Sequence, residues 1–571
     1  MKENIYDNSN IAESYAGVTT PLTFSFVSYV YREVYRYFSK MMGTSDQLIK
    51  ENKDMFEHMV EFIGYIIYYN LNNWYTMLSF FPGHRLSGEF MEKMMGVDKH
   101  NPLGKKKYSF YQKYLCYFPK TVLQIIRISL TFLFLGRLVE QFNTYFDKVF
   151  SEISLADLNK LTLVELKKSY RELDNKLLSC WKVPIANDFA VMVSAGLTDR
   201  LFKIWLDSND AYSFMRPNAN KPLISLDPGN KVLHIVNFIK KDQKIRELFL
   251  GGYTEEHIIK SLHDHYATHR VTCEIDAYLK KFGTRMPNEL KLESETLSEN
   301  PKNFIALIKT IVQGELTHGR EPKMKSMKRN YDNVGLPKRV FLQWLLGWAG
   351  NAIRRREEAR FRRTLIFGYV RKIFLSIGKK FRQKHHIKNK RDIFYLSVEE
   401  IFNRIDTGKK DFHLRSLIEQ RKHLFKKWQN LELPRRFETA KSIHKIEQQA
   451  LNRVAVLHKT VARQLIGSVA SRPNNIYTFS GTALTLKDFD AAANFEGRIL
   501  VTRQTDPGWT IIFPLLRGIV VERGGMLSHA AIVARELHIP CIVGVEQATD
   551  FIPNGAQIAL DLQTGLITNL C

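Results

Sequence analysis

Between Gly524 and Val545 the chain reads GGMLSHAAIVARELHIPCIVGV. A glycine pair makes a turn, Ser528 follows as a helix N-cap, and His529 comes next. The run AAIVAREL continues as a short amphipathic helix, Pro540 ends it, and CIVGV has the composition of a buried strand. One imidazole is thereby set at the start of a helix, where free backbone N–H groups and the helix dipole favour negative charge. A histidine that carries a phosphoryl group would want this setting: a neutral ring nitrogen is the nucleophile, and Gly524, Gly525 and Ser528 supply the turn and the helix start that offset the new charge. The plainer alternative is a surface histidine beside an N-cap.

The elements that position this run form a small α/β unit. GRILVTRQ (497–504), RGIVVER (517–523), PCIVGV (540–545) and the pair in AQIALDLQTGLITNL (556–570) read as strands, the last two joined at Thr564-Gly565. TDPGWTIIFPLL (505–516) reads as a loop and a short helix. The expected organisation is multidomain: a large, mostly α-helical region over 1–437, a helical tether over 438–474, and a small α/β domain over 475–571. With 571 residues the chain is too long for a single core.

In the N-terminal region FSFVSYVYREVYRYFSKMM and MFEHMVEFIGYIIYYNLNNWYTMLSFF have helical apolar spacing. SNIAESYAGVTTPLTFSF is polar and non-periodic until Thr20 and Pro21 open a helix, with Thr23 in its first turn. It suits site lining, or equally an ordered N-terminal arm. In KKFGTRMPNEL, Arg285 and Glu289 follow a helix end; a buried Arg paired with carboxylates could organise an anionic site, whereas residue types alone favour a solvated loop. Residues 339–390 are the most basic part and read as a long amphipathic helix with a basic outer face. RDIFYLSVEEIF reads as a strand-like piece, then a helix with a Ser397–Glu400 capping box.

The formal net charge is +26. Residues 481–571 carry six Lys/Arg against nine Asp/Glu, a net of −3, so the remainder carries +29. No nucleic-acid-binding motif accompanies the excess, and nucleic acid is not an expected partner. The five cysteines lie far apart with no metal-ligand spacing, consistent with reduced thiols and a cytoplasmic location. No signal peptide is evident. The most apolar stretch, VLQIIRISLTFLFLG (122–136), is short for a membrane span and carries Arg127, so it is expected as a buried helix and no membrane contact is expected.

TDPGWT, VERGGMLSHAAIVARELHIPCIVGV and DLQTG together resemble the swivelling phosphohistidine domain of PEP-utilising enzymes, which include phosphoenolpyruvate synthase, pyruvate phosphate dikinase and rifampicin phosphotransferase. The resemblance implies that His529 is the phosphocarrier. Val521 stands where many members have a threonine. SNIAESYAGVTTPLTFSF, KFGTRMPNEL and RDIFYLSVEEI are similar to segments of the rifampicin-phosphotransferase-like substrate region, which makes Arg285, Glu289 and Thr23 candidate substrate-region residues; Thr284 replaces a family histidine. The implied activity is phosphoryl transfer from ATP through His529 to a small-molecule acceptor in the helical region. No ATP-grasp domain is found in the sequence. ATP and Mg²⁺ are therefore expected on a separate ATP-grasp protein, and no metal site is expected here. Two other readings stay open: a phosphoenolpyruvate-synthase-type component, and a non-catalytic basic binding module.

Overall fold

The computed structural model describes residues 4–82, 118–208, 211–215, 223–314, 334–408, 413–431, 433–439, 443, 447, 465–473 and 476–570. Strands β1 (Asn4–Asp7), β2 (Val60–Ile63), β3 (Ile66–Asn70) and β4 (Arg436–Thr439) form an antiparallel sheet in the order β2-β3-β1-β4. The pairing of Asp7 with Arg436 ties the start of the chain to residues more than 400 positions away. The β2–β3 hairpin falls inside a stretch read as helix. VEFI and IIYYN are rich in β-branched and aromatic residues, and Gly64 and Tyr65 turn between them with φ of 58° and 61°. Two positive φ values in a two-residue loop match the right-handed twist of a hairpin.

Helices supply the rest of this region. Helix α1 (Pro21–Met41) starts with proline in its first turn, as expected. Helices α2 (Phe118–Leu133), α3 (Leu135–Ser154) and α4 (Lys182–Leu206) lead to α5 (Leu336–Gln383), which is 48 residues long and packs along α4 and α1's neighbourhood. Phe38, Phe146, Phe374 and Phe381 are buried in their common core. RDIFY forms a 3₁₀ turn over Lys390–Tyr395 rather than a strand, because Asn389 and Asp392 cap it reciprocally; the Ser397–Glu400 capping box is present.

Helix α2 is not buried. Leu123, Ile126, Leu130 and Leu133 are 68%, 49%, 49% and 73% exposed. The expectation of a buried helix over 122–136 therefore fails. Only the side carrying Gln124, Ile128 and Phe132 is covered: Gln124 donates to the carbonyls of Met42 and Phe80, and Phe132 stacks on Phe189. Among the described residues no single helix is long and apolar enough to cross a membrane; α2 and α3 pass that test only as a pair bent by 62°.

The C-terminal domain is an eight-stranded sheet ordered β5-β12-β11-β7-β8-β9-β10-β6: β5 (Leu465–Ile466), β6 (Ser468–Ser471), β7 (Thr478–Leu486), β8 (Ile499–Thr502), β9 (Gly518–Val521), β10 (Cys541–Val543), β11 (Gln557–Asp561) and β12 (Leu566–Asn569). Strands β7 to β10 are mutually parallel, and β8 to β10 are almost continuously apolar, as strands covered on both faces require. Strands β5 and β6 lie within the stretch read as a helical tether. They are edge strands, short and held by pairing with β12 and β10 rather than by a periodic pattern of their own. Most of 440–464 lies outside the described residues. One face of the sheet has its own core of Ile499, Val501, Ile542 and Ile558. The other shares a core with helices Asp227–Lys241, Arg270–Phe282 and Pro301–Gln313, so the domain is docked on the helical region.

Candidate active site

Helix α6 (His529–Glu536) begins at the histidine, with the Ser528 hydroxyl accepting from the Ala531 amide at 3.3 Å. Gly524 has φ of 110°, and a Cβ there would stand 3.0 Å from Glu13 Oε1 and nearer still to Ser528. The glycine thus serves both the turn and the close approach of the N-terminal segment. Arg535 braces the same turn by donating to the Met526 and Ala470 carbonyls.

His529 is completely buried. Its Nδ1 lies 3.0 Å from Glu357 Oε2, and the same oxygen accepts from Ser225 Oγ at 2.7 Å. Its Nε2 is buried without a hydrogen-bond partner. A carboxylate at Nδ1 selects the tautomer that holds its proton there and leaves the Nε2 lone pair free. Burial would raise the Glu357 carboxyl, but His529 and Arg360 outweigh it and hold the group well below the usual carboxylate range.

The charges around this pair come from three parts of the chain. Arg360 lies 3.6 Å from Glu357 and 3.7 Å from Glu13; Arg356 lies 3.4 Å from Asp188 and donates to the Leu527 carbonyl at 3.1 Å. The Glu13 carboxyl oxygens accept no side-chain hydrogen bond, and the His529 backbone N–H is directed at them. Burial pushes the Glu13 and Asp188 carboxyls up, and the neighbouring guanidinium groups oppose this only in part. Buried ions of both signs at these separations balance one another, and loss of one leaves another uncompensated.

Beside this cluster is a cavity of about 210 Å³. Glu13, Asp188, Arg356, Arg360 and Arg363 line its polar side; Tyr31, Tyr35, Tyr69, Trp74, Phe189 and Phe367 line its aromatic side. Burial raises the Tyr35 and Tyr69 phenols well above their ordinary range, so both remain protonated donors.

The candidate residues of the substrate region lie elsewhere. Arg285 and Glu289 are both buried, 3.5 Å apart, with Thr364 donating to Glu289 at 2.6 Å and Phe361 beneath the guanidinium. The solvated-loop alternative does not hold for them. They face the C-terminal domain: Asp506 accepts from the Asn288 amide at 2.5 Å and from Gly508 at 2.9 Å. Burial first, then the Glu289 carboxylate, pushes Asp506 up to about 7. Arg360 connects the two groups electrostatically, since Glu357 and Glu289 both act on it. Thr23 lines neither the cavity nor this seam. Its hydroxyl donates to Glu293 at 2.5 Å and accepts from the Leu292 amide, which fastens the first turn of α1 to the 284–293 segment.

Glu357, Arg356, Arg360, Glu13 and Asp188 were not singled out from sequence. The signal was the spacing of Arg356, Arg360, Arg363 and Thr364, which puts polar residues on one stripe of α5. The expected basic outer face over 339–390 fails here, because Arg356 and Glu357 point inward. Among the described residues no group of three or more His, Cys, Asp and Glu is arranged to hold a metal ion.

Residues 494–565 match the mobile domain of PEP-utilising enzymes, and residues 185–357 match the fourth domain of rifampicin phosphotransferase. The chain is 25% identical over 405 residues to a rifampicin phosphotransferase of Bacillus cereus, covering 67% of this chain and 44% of the relative. It is 24% identical over 582 residues to the prodigiosin synthesizing transferase PigC of Serratia marcescens, covering 98% of this chain and 62% of the relative. A phosphoenolpyruvate synthase of Aquifex aeolicus is 47% identical over 87 residues, 15% of this chain and 10% of the relative. The chain spans less than half the length of the rifampicin phosphotransferases it matches. By these matches it is related to the phosphotransferases of the PEP-utilising group.

Proposed function

We propose that the chain is a phosphotransferase component in which His529 Nε2 carries a phosphoryl group to an acceptor held in the aromatic cavity. The observation that carries this reading is the Glu357–His529 pair, which fixes Nδ1 and leaves a buried, unpartnered Nε2 at a helix N-terminus. Nε2 attacks a phosphoryl group of ATP, the P–O bond to the departing nucleotide oxygen breaks with its electron pair staying on that oxygen, and Nε2 is left as phosphohistidine; a separate ATP-grasp protein would hold the nucleotide and its Mg²⁺. The C-terminal domain then returns to the docked position described above. An acceptor oxygen attacks phosphorus, the P–N bond breaks with its electron pair returning to Nε2, and the proton of an acceptor hydroxyl passes to Glu13. Burial makes Glu13 a stronger base than an ordinary carboxylate. Arg356 and Arg360 offset the charge on the transferring group.

The test is to incubate the chain with β- or γ-labelled ATP and the candidate ATP-grasp protein. An acid-labile, base-stable label is expected on the wild type and none on His529→Ala. Equal labelling of the two would exclude the assignment.

A second reading is favoured by the extent of the match to a synthesizing transferase, which runs over 98% of this chain. In it the phosphorylated acceptor is an activated intermediate consumed by joining to a second molecule. Retention of label in the final product supports the first reading; release of inorganic phosphate only when a second substrate is added supports the second.

A further inference from the structure

The apolar face of α2 does not stand alone. Phe132 on its covered side meets Trp348, which stacks on Trp344; Trp344 meets Phe341, and Phe341 meets Trp205. This aromatic ladder joins α2 to the first turns of α5 and the last turn of α4. The surface so formed is open: Trp344 is 60% exposed and Val340, Leu336 and Ile204 are more than half exposed.

Its charges are mostly basic. The described residues 121–137 contain Arg127 and Arg137, residues 336–350 contain Lys338 and Arg339, and neither stretch contains an acid. Among the described residues the acids next along these elements are Glu140, Asp199, Asp207 and Glu357; Asp199 is buried against Lys203 and Glu357 is buried at the site, which leaves Glu140 and Asp207 as the exposed acids at the margin. Arg137 lies over the Phe134 ring and Lys338 over Trp205, so the cations border the apolar surface. A second copy would bring like charges together. An anionic surface with an apolar interior matches both properties at once, because cations pair with headgroups while aromatic and aliphatic side chains enter the acyl boundary.

We infer that α2 and the first turns of α5 form a peripheral docking surface for an anionic phospholipid bilayer. The chain lies on the membrane rather than in it. The surface is also continuous with the site, since Phe132 stacks on Phe189 of the cavity wall. Resting on the acceptor reading of that cavity, docking would set its aromatic side toward the bilayer and suit a lipid-soluble acceptor.

The test is co-sedimentation of the full chain with vesicles of phosphatidylcholine containing one-quarter phosphatidylglycerol, and with phosphatidylcholine alone. Binding to the anionic vesicles is expected, falling with salt and weaker on the neutral ones. The triple variant Leu123→Glu, Ile126→Glu, Leu130→Glu should bind about tenfold less or weaker still. Lys338→Glu with Arg339→Glu, a second variant on another helix, should lose the preference for anionic lipid. Absence of binding by the wild type overturns the inference, as does binding unchanged in both variants, or a wild-type dimer that the triple variant converts to monomer without any vesicle binding. His529 labelling is measured on the same preparations, so failure of lipid docking is separable from failure of the phosphocarrier reading.

Discussion

Helix α2 and the middle of helix α5 invert each other. In α2, Leu123, Leu130 and Leu133 stand in solvent. In α5, Arg356 and Glu357 are buried, and Arg360 is nearly so. Leaving a leucine exposed forgoes about 1.5–3 kcal/mol of burial, and burying an ion costs several kcal/mol before its partners compensate. Neither arrangement is explained by folding alone. The α5 charges have partners from the N-terminal segment, from α4 and from the C-terminal domain, and their common neighbour is His529. Among the described residues the exposed side of α2 has no such partner. In the proposed function the inward charges organise the reaction site, and in the proposed docking the outward apolar residues meet a partner outside the chain.

Removing the charge that meets the histidine should have the largest effect. Glu357→Gln keeps the shape but no longer selects the Nδ1–H tautomer, and phosphotransfer should fall by roughly 10²–10⁴-fold with the fold intact. Single-turnover transfer from labelled protein measures it; an unchanged rate would make Glu357 a packing residue. Arg360→Leu strands Glu357 and Glu13 together. It should cost about 3–5 kcal/mol of stability in urea unfolding, the cost of leaving a buried charge unpaired. A loss under about 1 kcal/mol would mean that the inward charges are neutral or hydrated.

How much of this was legible depended on whether a residue's neighbours are local. The turn, cap and helix at 524–536 are fixed by adjacent residues, and they appear where the sequence places them. Strands β8 to β12 announced themselves by β-branched runs. Strands β5 and β6 did not, because their pairing partners lie about 70 to 100 residues away. Periodicity tells which residues of a helix share a face, but not which face the rest of the protein covers. That is why α2 was expected inside, why the charges of α5 were expected outside, and why Glu13 and Glu357 could not be matched to His529 across more than 170 positions.

The docking seam should respond to pH. Asp506 moves from an ordinary carboxylate at 3.8 to about 7 when buried against Glu289, with Arg285 and Lys291 nearby. The docked form therefore holds a proton that the open form releases. Docking is strongest below the ordinary carboxylate range, weakens as pH rises toward 7, and levels off above it, by up to about tenfold per pH unit. Small-angle scattering between pH 5 and 8 should show the wild type opening as pH rises and Asp506→Asn staying compact. Identical profiles would assign the pH response to another group.

The smallest effect falls within α2 and separates its open side from its covered side. Leu130→Gln, on the open side of α2, should change stability by no more than about 0.5 kcal/mol. Phe132→Ala, two residues on, removes a ring that is packed on Phe189 and Trp348 and should cost about 1–3 kcal/mol. The two positions differ little in sequence context, so the contrast reads coverage alone. If Leu130→Gln costs as much as Phe132→Ala in urea unfolding, the outer face is covered within the fold and has nothing left to offer a membrane. If it costs nothing, the apolar side chain is maintained at no benefit to the folded chain, and its reason must lie in what docks there.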